Sequence, residues 1–379
     1  MSLVPTDEQR QLADTAREFL REYAPVTALR QLRETHDPLG YSMDLWSRMA
    51  ELGWAGITIP EQYGGLDFGF AGTGLLMQEC GRTLAASPLF ASCVLGAGAI
   101  ALAGSDAQKQ KLLPLVATGE LRLALALEET HRHDPAGVGL AATRSARGWE
   151  LSGVKQFVID GHSAEQLVVV ARTGGAPGEQ GGLSLFLVDA GAPGLERHRL
   201  ALLDSRNAAR LEFRSVHVDD AMRLGEAGEA WPALQQVLDR GRAALAAEML
   251  GGAEECFERT LAYLKQREQF GAVIGSFQAL QHRAAQMFAE LELLRSAVRA
   301  ACDAVEASPS MLPLLASLVK ARANDCAELL TNEAVQLHGG IGTTDELDIG
   351  LFLKRARVCM QLLGDSAFHR ARYASLRGF

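Results

Sequence analysis

The final third of the chain limits the fold more than any other stretch. The spacing of apolar residues predicts one long helix over Gln235–Arg267. A second begins at Phe277 and carries Leu280, Ala284, Met287, Phe288, Leu291, Leu294 and Val298 along one stripe. Met311–Leu330 and Ile349–Leu363 continue the same period. Helices this long and this apolar bury one another in a bundle. Their surplus of alanine and other apolar positions points to a surface partly covered by further subunits, against the plainer reading of a thick single-chain core.

The first third is also helical. Thr6-Asp-Glu-Gln9 reads as a capping box, in which the hydroxyl and the amide side chain each satisfy a free group at the helix start. The helix behind it presents Leu12, Ala16, Phe19 and Leu20 on one face. Tyr41–Leu52, Thr73–Leu84, Phe90–Ala103 and Asp106–Val116 follow as further helices. Near Gly119 the period changes. Leu121–Leu127, Trp149–Ile159, Gln166–Ala171, Leu183–Val188, Ala209–Phe213 and Val216–Val218 read as strands broken by glycine-rich turns. Three segments result: a helical domain over 1–118, a β-domain over 119–229 and a helical bundle over 230–379. A chain of 379 residues that is 48% hydrophobic can fill several cores.

A formal net charge of -9 argues against nucleic acid and anionic membrane surfaces as partners. The six cysteines are widely spaced, without a Cys-x-x-Cys pair, and read as buried thiols. Ala91–Ala103 is too short to span a bilayer, and the first residues lack a signal pattern, so a cytoplasmic location is expected. His131-x-His133-Asp134 invites a metal, but with no third fixed ligand evident it reads as a polar loop, and no metal is expected.

Arg267-Glu-Gln-Phe-Gly271, Phe277-Gln278-x-x-Gln281 and Gln336-Leu-His-Gly339-Gly340-Ile-Gly342 place a cation, amides and glycines beside long helices. Such donors suit an extended, phosphate-bearing cofactor, since guanidinium binds phosphate strongly and glycine lets backbone approach closely. With Pro60-Glu-Gln-Tyr-Gly-Gly65 and Gly153-x-Lys155-x-Phe157-x-Ile159-x-Gly161, in this order and spacing, the whole chain resembles the acyl-CoA dehydrogenase family. The resemblance implies a helical N-terminal domain, a β-barrel-like middle domain and a C-terminal four-helix bundle. It implies FAD, an acyl-CoA thioester, an electron-transfer acceptor and an oligomer. Arg267, Gln269 and Phe270 then stand at the pyrophosphate end of the flavin, and Gln278 is a further polar contact. Gln336, Gly339 and Gly340 meet a FAD held mainly by a neighbouring subunit. Phe157 is the aromatic that stacks on the ring.

The chain departs from that pattern in two ways. Leu127 and Ile159 stand where hydroxyls contact the flavin, in a segment where loop amides also do so. Glu128 and Glu129 nearby read as solvated loop residues. The base is also missing. Counted without gaps, the two places from which relatives draw their catalytic glutamate hold Leu363 and Gly241, leaving Asp365 as a weak candidate. Three readings stay open. The chain is the subunit without the base in a heteromer with a homologous partner, such as an α2β2 assembly. It is a homotetramer or homodimer with FAD and a displaced base. Or it is a scaffold subunit without catalysis.

Overall fold

A computed structural model describes residues 4–379. Its helices are α1 (Asp7–Tyr23), α2 (Val26–Glu34), α3 (Met43–Glu51), α4 (Phe70–Thr83), α5 (Ala97–Ala103), α6 (Asp106–Ala117), α7 (Trp231–Gln266), α8 (Gln278–Ala307), α9 (Leu312–His338), α10 (Ile349–Gln361) and α11 (Ser366–Leu376). Its strands are β1 (Leu123–Ala126), β2 (Ala141–Ser145), β3 (Gly148–Ile159), β4 (Gln166–Arg172), β5 (Leu183–Asp189), β6 (Leu195–Arg199), β7 (Ala208–Val218), β8 (Arg223–Leu224), β9 (Glu268–Gln269) and β10 (Ala272–Val273). The succession is the expected one: helices, a central mixed β-sheet, then a helical bundle. The chain packs as two compact units.

The bundle unit gathers residues up to Gln31, Phe70–Ala85 and Arg242–Phe379. Thr6 and Gln9 form the expected capping box at the start of α1. Helix α9 packs against α8, α10 and α11, and α4 against α1 and α8. Helices α4 and α7 cross through glycine. A Cβ on Gly251 would stand 1.7 Å from the Gln78 carbonyl oxygen, and one on Gly81 would stand 1.9 Å from that of Glu248. No side chain fits at either point. Ion pairs flank the crossing. Arg82 bonds Glu254 at 3.3 Å and Glu255 at 3.1 Å, and it also bonds Glu258. The buried Arg355 anchors α10 to Glu248 at 2.9 Å, and Arg357 reaches Glu328 on α9 at 2.8 Å.

The sheet unit holds Leu32–Gly69 and Ala86–Gly241. Its sheet runs β6-β7-β3-β2-β4-β5-β8, with β1 parallel to β4. Strands β1 and β4 read as unbroken apolar runs because both their faces are buried. Leu151, Leu167, Val169, Phe186, Leu211 and Val216 lie in the core on this sheet. The two segments expected at Ala209–Phe213 and Val216–Val218 are one strand, β7. All six cysteines are buried and none is in a disulfide. Among the described residues, no helix is long and apolar enough to cross a membrane.

Candidate functional site

Three places carry the residues singled out by sequence. The first is a groove of about 740 Å³ in the bundle unit. Helix α7 ends at Gln266, and β9 and β10 pair antiparallel across a two-residue turn, Phe270–Gly271. Both turn residues have positive φ, 55° and 74°, as a type I′ turn requires. This hairpin and the end of α9 bring Arg267 and Gln269 together with Gln336, Gly339 and Gly340 along one wall. Space is open beyond Gly339 and Gly340, where a Cβ would meet nothing within 4 Å.

The groove is electrostatically lopsided. The carbonyl ends of two helices, α7 and α9, border it, and helix C-termini carry partial negative charge. Arg283 is spent on Glu333 at 2.5 Å. Arg267 is exposed, and its guanidinium makes no hydrogen bond or ion pair with any described residue. It is the cation left for a ligand anion here. At the inner end Tyr263 donates to the His338 carbonyl at 3.3 Å and stacks on that ring at 4.4 Å. His338 Nδ1 faces the Ala334 carbonyl at 2.7 Å, so Nδ1 carries the proton, and burial lowers the ring's pKa. Phe270 stands at the hairpin tip, 95% exposed. Gln278 opens α8 with an exposed side chain and is not part of the groove wall.

The second place is the loop between β1 and β2 in the sheet unit. Here Glu128 and Glu129 depart from the solvated role expected of them. The Glu129 carboxylate accepts from Lys155 Nζ at 2.7 Å, from the Leu140 amide at 2.9 Å and from the Gly139 amide at 2.8 Å. Lys155 is fully buried, and its ammonium also donates to the Leu127 carbonyl at 2.9 Å. Desolvation lowers its pKa to about 8, against the pull of Glu129. Glu128 pairs with His133 Nδ1 at 2.5 Å. Asp134 closes a turn by accepting from the Gly137 amide at 3.1 Å. His133 and Asp134 are thus engaged within the loop while His131 is exposed, and no cluster of metal-ligating groups exists among the described residues. Phe157 sits in β3 where the register with β7 slips between Lys155 and Val158. Its φ is 50° and its ring is 41% exposed.

The third place is the turn between α10 and α11. Leu363 lies there at φ 57° and is 9% exposed, followed by Gly364 at φ 111°. Four fully buried side chains converge on two successive carbonyls. Arg242 donates to the Leu363 oxygen at 3.3 Å, and His369 Nε2 meets it at 3.0 Å. Lys320 donates to the Gly364 oxygen at 3.0 Å, with Asn324 at 3.4 Å. Lys320 also bonds Asn324 Oδ1 at 2.6 Å. Desolvation lowers Lys320 to about 7. Asp365 is exposed and caps α11, its Oδ1 accepting from the Phe368 amide at 2.8 Å. Gly241 lies buried within α7. Sequence reasoning passed over the four clamping residues. The available signal was a Lys–Asn pair four residues apart, in register with the apolar positions Ala316, Ala327 and Leu330 of the same helix.

Comparison with known proteins follows the same order along the chain. Residues 6–120 match the N-terminal domain of acyl-CoA dehydrogenases, 124–216 the middle domain and 228–375 the C-terminal domain. Isovaleryl-CoA dehydrogenase of Solanum tuberosum is 30% identical over 375 residues, covering 97% of this chain and 90% of its own. A variant of the Tcur3481-Tcur3483 steroid ACAD superposes with a TM-score of 0.87 at 33% identity, covering 98% of each chain. The ChsE4-ChsE5 complex from Mycobacterium tuberculosis gives 0.90 at 25% identity, over 100% of this chain and 99% of the other.

Proposed function

This chain belongs to the acyl-CoA dehydrogenase family, and we propose that it is the subunit without the catalytic base in a heteromeric enzyme that desaturates a CoA thioester between its α and β carbons. One observation carries the reading. The turn at Leu363 is clamped by four buried donors, yet the residue it presents cannot accept a proton. Removal of an α-proton needs a base within direct hydrogen-bond reach. Gly241 offers none, and Asp365 is engaged as a helix cap. The groove at Arg267 keeps what a supporting subunit lends: one free guanidinium, the amides of Gln269 and Gln336, and open backbone at Gly339 and Gly340. These fit one phosphate of a FAD held by the partner subunit, with Phe270 reaching toward it from the hairpin tip. FAD supplies hydride acceptance when bound. The part of this chain is to bind and orient. Two of the similar structures carry paired names, Tcur3481-Tcur3483 and ChsE4-ChsE5, which supports a two-chain assembly. The first is a steroid ACAD, so a steroid side-chain thioester heads the substrates to try.

The test is turnover by the homogeneous chain with isovaleryl-CoA and with a steroid side-chain CoA thioester, using a dye as electron acceptor. No turnover is expected alone, and turnover is expected after co-expression with a homologous chain that bears the glutamate. Dye reduction at ordinary enzymatic rates by this chain alone would end the proposal.

A further inference from the structure

We infer that His338 is a specificity-determining residue of the Arg267 groove, and that it reads an N–H or O–H donor on the same ligand whose phosphate Arg267 takes. The inference rests on the reading of that groove as a phosphate site and adds a second contact and a direction to it. Acceptor accounting at the inner end leads there. The Arg267 carbonyl accepts from the Ile274 amide at 2.8 Å, the Gln336 carbonyl from the Gly339 amide, and the His338 carbonyl from Tyr263. Those backbone oxygens at the ends of α7 and α9 are spent within the chain. The His338 ring is not. Its Nδ1–H goes to the Ala334 carbonyl, which leaves the lone pair on Nε2. Nε2 bonds no described residue and is not sealed inside the bundle, and the ring lines the groove. The residue is otherwise closed in, at 4% exposed.

The ring is fixed in this state. It stacks on Tyr263 with centroids 4.4 Å apart, and the bond to Ala334 sets its tautomer. Burial lowers its pKa, so the imidazole is neutral at neutral pH and Nε2 stays an acceptor. An acceptor this buried is costly to leave unpaired. A ligand group that covers Nε2 without a donor forfeits its hydration, whereas an N–H or O–H replaces it. Ionised phosphate oxygens offer the wrong partner, lone pair against lone pair, and are drawn instead to the exposed guanidinium of Arg267. The groove therefore has a polarity, with the anion at Arg267 and a donor at His338. A nucleoside diphosphate carries both, its charge on the phosphates and its donors on the ribose hydroxyls and the exocyclic amine. Inorganic pyrophosphate carries the charge without the nucleoside donors.

The full chain, purified alone, is titrated by calorimetry with ADP and with inorganic pyrophosphate, with circular dichroism and thermal melting as the check on folding. The wild type is expected to bind ADP the more tightly. Arg267→Gln is expected to weaken both ligands, which places both in the groove. His338→Phe keeps a ring against Tyr263 and removes the acceptor. It is expected to weaken ADP by about 5–10-fold, the equivalent of one hydrogen bond, and to leave pyrophosphate unchanged. Should that variant fail to fold, two analogues carry the test on the wild type: dideoxy-ADP lacks the ribose hydroxyls, and purine riboside diphosphate lacks the amine. One of them is expected to lose the same factor, which names the donor. A wild type that binds ADP no more tightly than pyrophosphate overturns the inference, and so does ADP binding untouched by Arg267→Gln. A folded His338→Phe chain weakened alike for both ligands, or for neither, overturns it too, as do two analogues that both bind as ADP does. A chain without turnover and without preference for ADP sinks this inference and spares the base-lacking reading. A chain that turns over alone, yet loses ADP affinity through His338→Phe, does the reverse.

Discussion

Among the turns of the bundle unit that hold a bulky side chain at positive φ, those at Leu363 and Phe270 do it by opposite means. Leu363, at 57°, is 9% exposed and is braced by Arg242 and His369, with Lys320 and Asn324 on the next carbonyl. Phe270, at 55°, is 95% exposed on a turn carried by two short strands, with the Phe277 ring edge-on at 6.4 Å. A left-handed residue other than glycine costs about 1–2 kcal/mol. At 363 the chain offsets that cost internally, through helices α7, α9 and α11. At 270 the ring meets Phe277 edge-on and otherwise stays open to solvent. The first conformation is a property of the fold. The second is a property of the two-residue hairpin turn, which leaves the ring at its tip exposed.

The strongest way to break this contrast is Arg242→Ala. It removes a buried donor from the Leu363 carbonyl and the cation 5.6 Å from the Phe368 ring. A loss of about 3 kcal/mol in denaturant unfolding is expected, whereas Phe270→Ala changes the same measurement by less than about 0.5 kcal/mol. Equal effects at the two sites would show that the clamp is not what holds 363. Next in size is a pH effect. Burial lowers Lys320 from 10.5 to about 7. The unfolded chain therefore binds more protons than the folded one between those values, and the lysine's penalty shrinks as pH rises. Wild-type stability is expected to rise relative to Lys320→Met between about pH 7 and 9, by at most about 1.4 kcal/mol per pH unit. Parallel melting curves for the two proteins across that range would refute it. The smallest effect is a gain. Phe270→Asn gives the Asn-Gly pair that a type I′ turn favours, and is expected to stabilise the isolated chain by about 0.5–1 kcal/mol. It is also expected to weaken any flavin contact made across subunits. A destabilised Phe270→Asn chain would mean that the edge contact with Phe277 outweighs the gain in the turn.

The fold was legible wherever one residue type repeats with one period. The long helices α7 and α10 were read within a few residues of their ends, whereas α9, read as Met311–Leu330, runs on to His338; the capping box at Thr6 was read correctly. What escaped is polar. Strands β2 and β6, with the exposed patterns of Ala141–Ser145 and Leu195–Arg199, carry little alternation, and charge along the β6 edge suits a strand that must not pair further. Helix α11 buries only His369 and shows no stripe. At the candidate site, the groove residues were found because they cluster in two short motifs. Glu129 was misjudged as solvated because its partners, Lys155 and the amides of Gly139 and Leu140, come from distant turns and strands. Pairing across tertiary distance leaves no mark on local composition. Arg242 was missed for the same reason, and Lys320 because its spacing to Asn324 points to an inward face without naming the Gly364 carbonyl it meets.

The glycine crossing of α4 and α7 bears on how chains of this kind change length. With Gly251 resting against the Gln78 carbonyl, α7 has no rotational freedom at that point. One inserted residue upstream would turn every later position by about 100° and drive a side chain into that oxygen. Insertions and deletions are therefore barred from this rod and must fall in the loops at its ends. Substitution alone is left to alter what α7 presents.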